Sequence, residues 1–249
     1  MKAMVLAAGL GTRLRPLTDN KPKALVEIDG RTLLDLTLAR LRSFGVREVI
    51  INVHHFAEMV LDYLKANNNF GMRVEISREE VLLDTGGGLK KAGWVFLEGA
   101  TKGDEPFVLH NVDILSSIDL AKMLEAHQRT KALATLAVKD RETRRYLLFD
   151  EENRLCGRRA GREGKPEMAR PAREVKALAF CGIHVISPRL LTMLSEDGVF
   201  SIIDAYLRLA RQGEEIRAFL ADEYYWRDVG KLEQVQQAGQ DLRRGVFKL

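Results

Sequence analysis

At 249 residues, with 46% hydrophobic and 30% charged side chains, the chain has a globular composition and the length of one large α/β domain, expected over 1–249. No apolar run approaches the ~18–20 residues that span a bilayer, so no membrane partner is expected. A net charge of +4 suits anionic ligands, while aromatic residues, at 7%, are not interleaved with Lys and Arg as base-stacking surfaces require, so no nucleic-acid partner is expected.

Met1 and Lys2 lead straight into a short apolar run ending at Gly9, which is too short for a secretory signal, so a cytoplasmic location is expected. Cys156 and Cys181 form no Cys-x-x-Cys pair and read as ordinary thiols rather than zinc ligands.

In chain order, residues 3–8 read as a buried strand that runs into a glycine turn through Gly9 and Gly11. Residues 32–44 carry Leu33, Leu34, Leu36, Leu38, Leu41 and Phe44 at helical spacing. A second strand at 49–53, a helix at 57–66 and a short strand at 74–77 follow. Thr85 is expected to cap a helix whose first turn holds Gly86, Gly87 and Gly88. A strand at 107–110 ends at the polar pair Asn111 and Asp113.

The second half is less regular, with expected strands at 132–138, 146–149, 178–186 and 216–220. Helices are expected at 189–194, at 202–211 and from about Lys231 onward. The basic stretch 153–176, with Arg158, Arg159, Arg162, Lys165, Arg170 and Arg173, reads as a mobile loop or twisted hairpin that covers a ligand. No repeat is visible, in particular no hexapeptide repeat.

Strand–helix alternation predicts an α/β, Rossmann-like, mixed but mainly parallel sheet with helices on both faces. Ligands of such sheets collect at the carboxyl ends of the strands, where Gly9 and Asp113 both fall.

The stretch Leu6-Ala7-Ala8-Gly9-Leu10-Gly11-Thr12-Arg13-Leu14 is suited to a backbone nest for phosphate oxygens. It is not a dinucleotide fingerprint, because Leu14 stands where the third glycine belongs, and no Walker A string occurs in the chain. With Arg15-Pro16-Leu17-Thr18 and Lys21-Pro22-Lys23-Ala24-Leu25 added, it closely resembles the signature of the sugar-1-phosphate nucleotidyltransferases. Among short members, the chain looks most similar to N-acetylmuramate-1-phosphate uridylyltransferases and mannose-1-phosphate guanylyltransferase-like proteins. The strings Leu83-Asp84-Thr85-Gly86-Gly87-Gly88 and Trp226-Arg227-Asp228-Val229-Gly230 lean toward the former.

The resemblance implies a nucleotide-diphospho-sugar transferase fold, with a nucleotide-binding half over about 1–115 and a sugar-binding half over about 116–249. The implied reaction joins a sugar 1-phosphate to a nucleoside triphosphate by uridylyl or guanylyl transfer, and releases pyrophosphate. Arg13 and Lys23 are the implied catalytic cations. Leu6, Ala7, Ala8, Gly9, Gly11, Thr12 and Arg13, with Gly86 and Gly87, would bind the nucleotide. Asn111, Gly182 and Lys176 fall on the sugar side, and Asp113 and Asp228 are implied ligands of Mg2+. Two departures stand out. Val112 replaces the glycine usual between Asn111 and Asp113, and the family's Glu-Lys-Pro element has only Gly164-Lys165-Pro166 as a counterpart, so Lys165 and Lys176 both remain candidates for the sugar phosphate.

Other readings are a catalytically silent sugar-nucleotide-binding regulatory protein, a phosphocholine cytidylyltransferase, and a nucleic-acid binder using the basic stretch. The presence of Arg13, Lys23, Asp113 and Asp228 argues against a silent binder. No oligomeric state is legible.

Overall fold

The computed structural model describes residues 1–97 and 105–246. After β1 (Lys2–Leu6) come single turns of 3-10 helix at Thr12–Leu14 and Lys23–Leu25. A hairpin of β2 (Glu27–Ile28) and β3 (Arg31–Thr32) turns over Asp29 and Gly30, both at positive φ. The Thr32 hydroxyl then accepts from Asp35 N and caps α1 (Leu33–Ser43), whose expected apolar face is buried. β4 (Glu48–Val53), α2 (Ala57–Ala66), β5 (Arg73–Arg78), α3 (Asp84–Ala92) and α4 (Trp94–Leu97) complete the first part. Next come β6 (Phe107–Asn111), β7 (Ile114–Ser116), α5 (Leu120–Thr130), β8 (Ala134–Lys139), β9 (Arg145–Phe149), β10 (Leu155–Ala160) and β11 (Glu167–Met168). The chain continues through β12 (Lys176–Ile186), α6 (Arg189–Thr192), α7 (Ile202–Arg211), β13 (Ile216–Leu220), β14 (Trp226–Asp228) and α8 (Leu232–Arg243).

These elements divide into two compact units. Unit 1 comprises Met1–Leu83, Leu109–Ile118 and the chain from Tyr224 onward; unit 2 comprises Asp84–Val108 and Asp119–Glu223.

In unit 1, β1 pairs in parallel with β4, and β4 in parallel with β5. The registers Leu6 with Asn52 and Asn52 with Ser77 bring the carboxyl ends of these strands to one edge. β6 lies beside β1, and Val112 N donates to Leu6 O at 3.1 Å, so β6 ends at the same edge. β7 and β14 form a separate antiparallel pair in which Asp228 stands opposite Ile114. Ala3, Met4 and Val5 of β1 are buried, as are Ile50 and Ile51 of β4, which is the continuous apolar pattern of a central parallel strand.

In unit 2, β12 pairs antiparallel with β8 and β9, β10 pairs antiparallel with β9 and β11, and β13 runs parallel to β8. The core includes Leu136, Val138, Leu148, Phe149, Ile183, Val185 and Tyr206. The sheet is therefore mixed and the fold is α/β, Rossmann-like.

Some details differ from expectation. Thr85 does not cap α3: the helix opens at Asp84, whose φ is +58°, and the Thr85 hydroxyl accepts from Ile202 N at 3.0 Å. Of the two readings of the basic stretch, the hairpin is the one found, since it contains β10 and β11 paired antiparallel. Helix α5, capped by Asp119 through Ala121 N and Lys122 N, and strand β14 lay outside the expected elements.

Candidate functional site

The glycine loop leaves β1 at the shared strand edge of unit 1. Leu6 closes the sheet through its carbonyl, and Ala7 N donates to Asn52 Oδ1 at 2.7 Å. From Ala8 onward the pattern changes: among the described residues, no hydrogen bond engages the amides of Ala8, Gly9, Gly11, Thr12 or Arg13. Such a run of open donors is what a polyphosphate needs.

The two glycines of the loop have different reasons. Gly11 sits at φ +65°, and a Cβ there would lie 2.9 Å from Thr18 Cγ2 and 3.1 Å from Lys23 Cβ, so the fold itself requires it. Nothing lies within 4 Å of the Cβ position of Gly9, and its φ is not in the left-handed region. Internal packing does not explain Gly9, whereas close approach of a ligand would.

Four charged groups surround this loop in unit 1. Lys23 Nζ donates to Asp113 Oδ2, with the two side chains only 13% and 15% exposed. Asp113 O accepts from Val229 N at 2.9 Å, which ties the end of β6 to the segment after β14. Asp228 Oδ1 accepts from Gly230 N at 2.7 Å. A Cβ on Gly230 would fall 2.7 Å from Arg13 Nη2 and 2.8 Å from Asp228 Oδ1, so Arg13 and Asp228 converge on that glycine. Arg13 makes no ion pair among the described residues.

Asn111, two positions before Asp113, has a buried Oδ1 with no hydrogen-bond partner among the described residues. A buried acceptor without a donor is uncommon in a folded chain and marks a place where a ligand hydroxyl would be satisfied. Beside it, burial pushes the His110 imidazole down to about 4, outweighing its hydrogen bond to Asn111 O at 2.8 Å.

Mg2+ keeps water and substrate phosphates in its shell, so one or two protein carboxylates are a sufficient share. Asp113 and Asp228 provide oxygens of this kind, and the carboxylate of Asp113 already accommodates the Lys23 ammonium. No group of three or more His, Cys, Asp or Glu placed to hold a metal occurs among the described residues.

Unit 2 holds the remaining candidates. Gly86 N and Gly87 N both approach Phe200 O, at 2.9 and 3.3 Å, and a Cβ on Gly86 would collide with the Phe200 ring. Packing within unit 2 accounts for Gly86. Gly182 has φ +75° where the pairing of β12 with β8 shifts register between Phe180 and His184. Lys176 opens the same strand and is exposed. At ~3.3 Å per residue the two lie roughly 20 Å apart along β12, so the strand does not bring them together.

A cavity of about 540 Å³, unmarked in the sequence except by its basic run, lies over β9 and β10 and is lined by Arg145, Tyr146, Arg159, Lys165 and Phe180, among others. Arg159 Nε is buried without a partner, and Lys165 makes no ion pair among the described residues. Other basic residues of the stretch are paired internally: Arg158 with Glu167 and Asp204, and Arg170 with Ala210 O and Glu214 O. This internal pairing weakens the reading of the stretch as a nucleic-acid surface.

Over residues 2–245 the chain matches the family described as nucleotidyl transferase, and it belongs to that family. It is 35% identical to N-acetylmuramate alpha-1-phosphate uridylyltransferase of Caulobacter vibrioides, over 92% of this chain and 91% of that protein. It is 28% identical to mannose-1-phosphate guanylyltransferase of Mycobacterium tuberculosis over 98% of its own length, but spans only 65% of that relative. Its fold is similar to that of HddC from Yersinia pseudotuberculosis, solved with GMP-PN, at TM-score 0.75 and 21% identity, over 97% of this chain and 99% of that one. No helix among the described residues is long and apolar enough to cross a membrane.

Proposed function

We propose that the chain transfers a nucleotidyl group from a nucleoside triphosphate to a sugar 1-phosphate, with UTP and N-acetylmuramate 1-phosphate as the favoured pair. The observation that carries this is the convergence in unit 1 of an open-amide loop, Arg13, the Lys23–Asp113 pair and Asp228. The relative from Caulobacter vibrioides, matched over nearly its whole length, supports the choice of substrates.

In this reading the loop amides from Ala8 to Arg13 hold the triphosphate. An oxygen of the sugar phosphate attacks the α-phosphorus in line, the bond from that phosphorus to the β-phosphate oxygen breaks, and pyrophosphate leaves with the bonding electrons. Two polyanions repel, so placed cations do much of the catalytic work. Arg13 neutralises charge growing on the pyrophosphate, and Lys23 holds the α-phosphate or the attacking phosphate. Asp113 and Asp228 would hold Mg2+, which when bound supplies further charge neutralisation at the phosphates. Asn111 Oδ1 would accept from a sugar hydroxyl. Because nothing in this reading calls for a covalent intermediate, isolating a nucleotidylated enzyme on the reaction path would contradict it.

The test is pyrophosphate release with UTP, GTP, CTP, dTTP and ATP, each against a panel of sugar 1-phosphates, with and without Mg2+. Release that requires UTP, N-acetylmuramate 1-phosphate and the metal is expected. Release with GTP and mannose 1-phosphate instead would reassign the substrates, and silence across the panel would overturn the reading.

A further inference from the structure

Asn52 in β4 and Glu79 just beyond β5 are 3% and 4% exposed and carry no role in the chemistry above. A carboxylate so deeply buried is costly unless its oxygens are satisfied. Glu79 makes no ion pair among the described residues; its oxygens accept from Asn52 Nδ2 at 2.7 Å and from Leu83 N at 2.9 Å. Its backbone is held too, since Glu79 N donates to Val53 O at 2.8 Å and Glu79 O accepts from His54 Nδ1 at 2.8 Å.

Because both side-chain oxygens of Glu79 accept here, the Asn52 amide is turned so that Nδ2 faces Glu79 and Oδ1 faces the amide of Ala7. Asn52 stands opposite Leu6 in the parallel pairing, directly beside the point where the loop departs. An apolar pair would join these strands at lower desolvation cost. What the polar pair adds is a fixed direction for the peptide on which the following open amides depend.

We infer that Asn52 and Glu79 are positioning residues for the triphosphate: Glu79 orients Asn52, Asn52 pins Ala7 N, and the loop amides from Ala8 onward are thereby aimed at the phosphates. This rests on the proposed function, since it assigns that loop to a triphosphate.

The pair permits a swap test. In Asn52→Asp two carboxylates face each other, and in Glu79→Gln a side-chain N–H must face either Leu83 N–H or the Asn52 amide. In the double variant N52D/E79Q all three bonds return: the introduced carboxylate accepts from Ala7 N and from the introduced amide, whose oxygen accepts from Leu83 N. Triphosphate Kd by calorimetry, KM for both substrates, kcat and Tm are measured on the full chain. Each single change is expected to weaken triphosphate binding ~10- to ~100-fold while KM for the sugar 1-phosphate stays within about 3-fold. The double variant is expected to return to within about 3-fold of wild type. Single variants with wild-type triphosphate affinity, equal changes in both KM values, or a double variant no better than the singles would each overturn the inference. A wild-type chain that binds none of the five triphosphates would sink the proposed function itself, and this inference with it.

Discussion

The backbone N–H of Val229 donates to the carbonyl of Asp113 at 2.9 Å, in line with the pairing of Asp228 opposite Ile114, so a short antiparallel ladder sets the backbones of the two candidate metal ligands beside each other. Lys23 already occupies one oxygen of that pair of carboxylates. A cation and a metal ion compete for the same oxygen, and removing the lysine leaves a mostly buried charge uncompensated. Lys23→Met is therefore expected to bind Mn2+ more tightly than wild type in the absence of nucleotide, as read by electron paramagnetic resonance. Transfer should fall at the same time by ~100-fold or more, because a placed cation is missing from the reaction. Unchanged or weaker Mn2+ binding in the variant would show that Lys23 and the metal do not share Asp113.

Gly230 tests the convergence of Arg13 with Asp228. A methyl group there would sit 2.7 Å from Arg13 Nη2 and 2.8 Å from Asp228 Oδ1, both at the free ends of side chains. The fold can accommodate this by moving those ends, so Tm should change little. The two candidate site groups must move, so under the proposed function Gly230→Ala should lower kcat by ~10- to ~100-fold. Wild-type turnover in this variant would mean that the positions of Arg13 and Asp228 do not matter to the step.

The candidate site of unit 1 is legible because its residues lie in local runs. The loop from Leu6 to Leu14 and the strand ending before Asp113 each announce themselves by glycine spacing or by an apolar run. The Asn52–Glu79 pair is not, because its meaning lies in a cross-strand register: the sequence shows Asn52 within an apolar strand but not that it stands opposite Leu6. Helix α5 escaped because only Leu120, Met123 and His127 of it are buried, which is too narrow a face to stand out by periodicity. Strand β14 is three residues long and exists through its pairing with β7, a relation that no local propensity encodes. The glycines of α3 drew attention in the sequence, yet the partner that explains Gly86 is Phe200, far along the chain.

That partner gives a stability prediction. A Cβ on Gly86 would meet both the Phe200 ring and its carbonyl oxygen, and backbone cannot swing aside as a side chain can. Gly86→Ala is expected to cost about 1–3 kcal/mol by overpacking, measured by urea unfolding. Phe200→Ala in the same chain should recover part of that cost, since it removes the ring and leaves the carbonyl. Fully additive losses would place the strain elsewhere.

Both cysteines should be silent to thiol reagents in the native chain. Burial raises the Cys156 thiol above its usual range and pushes Cys181 up to about 12, so little thiolate exists to react. Both are buried, and neither forms a disulfide among the described residues. Two equivalents of an aromatic disulfide reagent should react in denaturant and essentially none before unfolding. Rapid labelling of either thiol under native conditions would contradict the packing described for unit 2.

His110 sets an acid limit on stability. Burial holds its folded pKa near 4, whereas the unfolded chain should titrate near the ordinary value of 6.5. Between these values the unfolded chain takes a proton that the native chain refuses. The contribution to stability is therefore fully present above about pH 6.5 and is lost as pH falls toward about 4, by on the order of 3 kcal/mol in total. His110→Gln removes the titration while keeping an N–H that can donate to the Asn111 carbonyl, the acceptor His110 uses now. The variant should lose less Tm than wild type between about pH 7 and about pH 5, where most carboxylates remain ionised. Parallel Tm profiles for the two chains would mean that the imidazole is not held neutral, and that acid instability of this protein has another source.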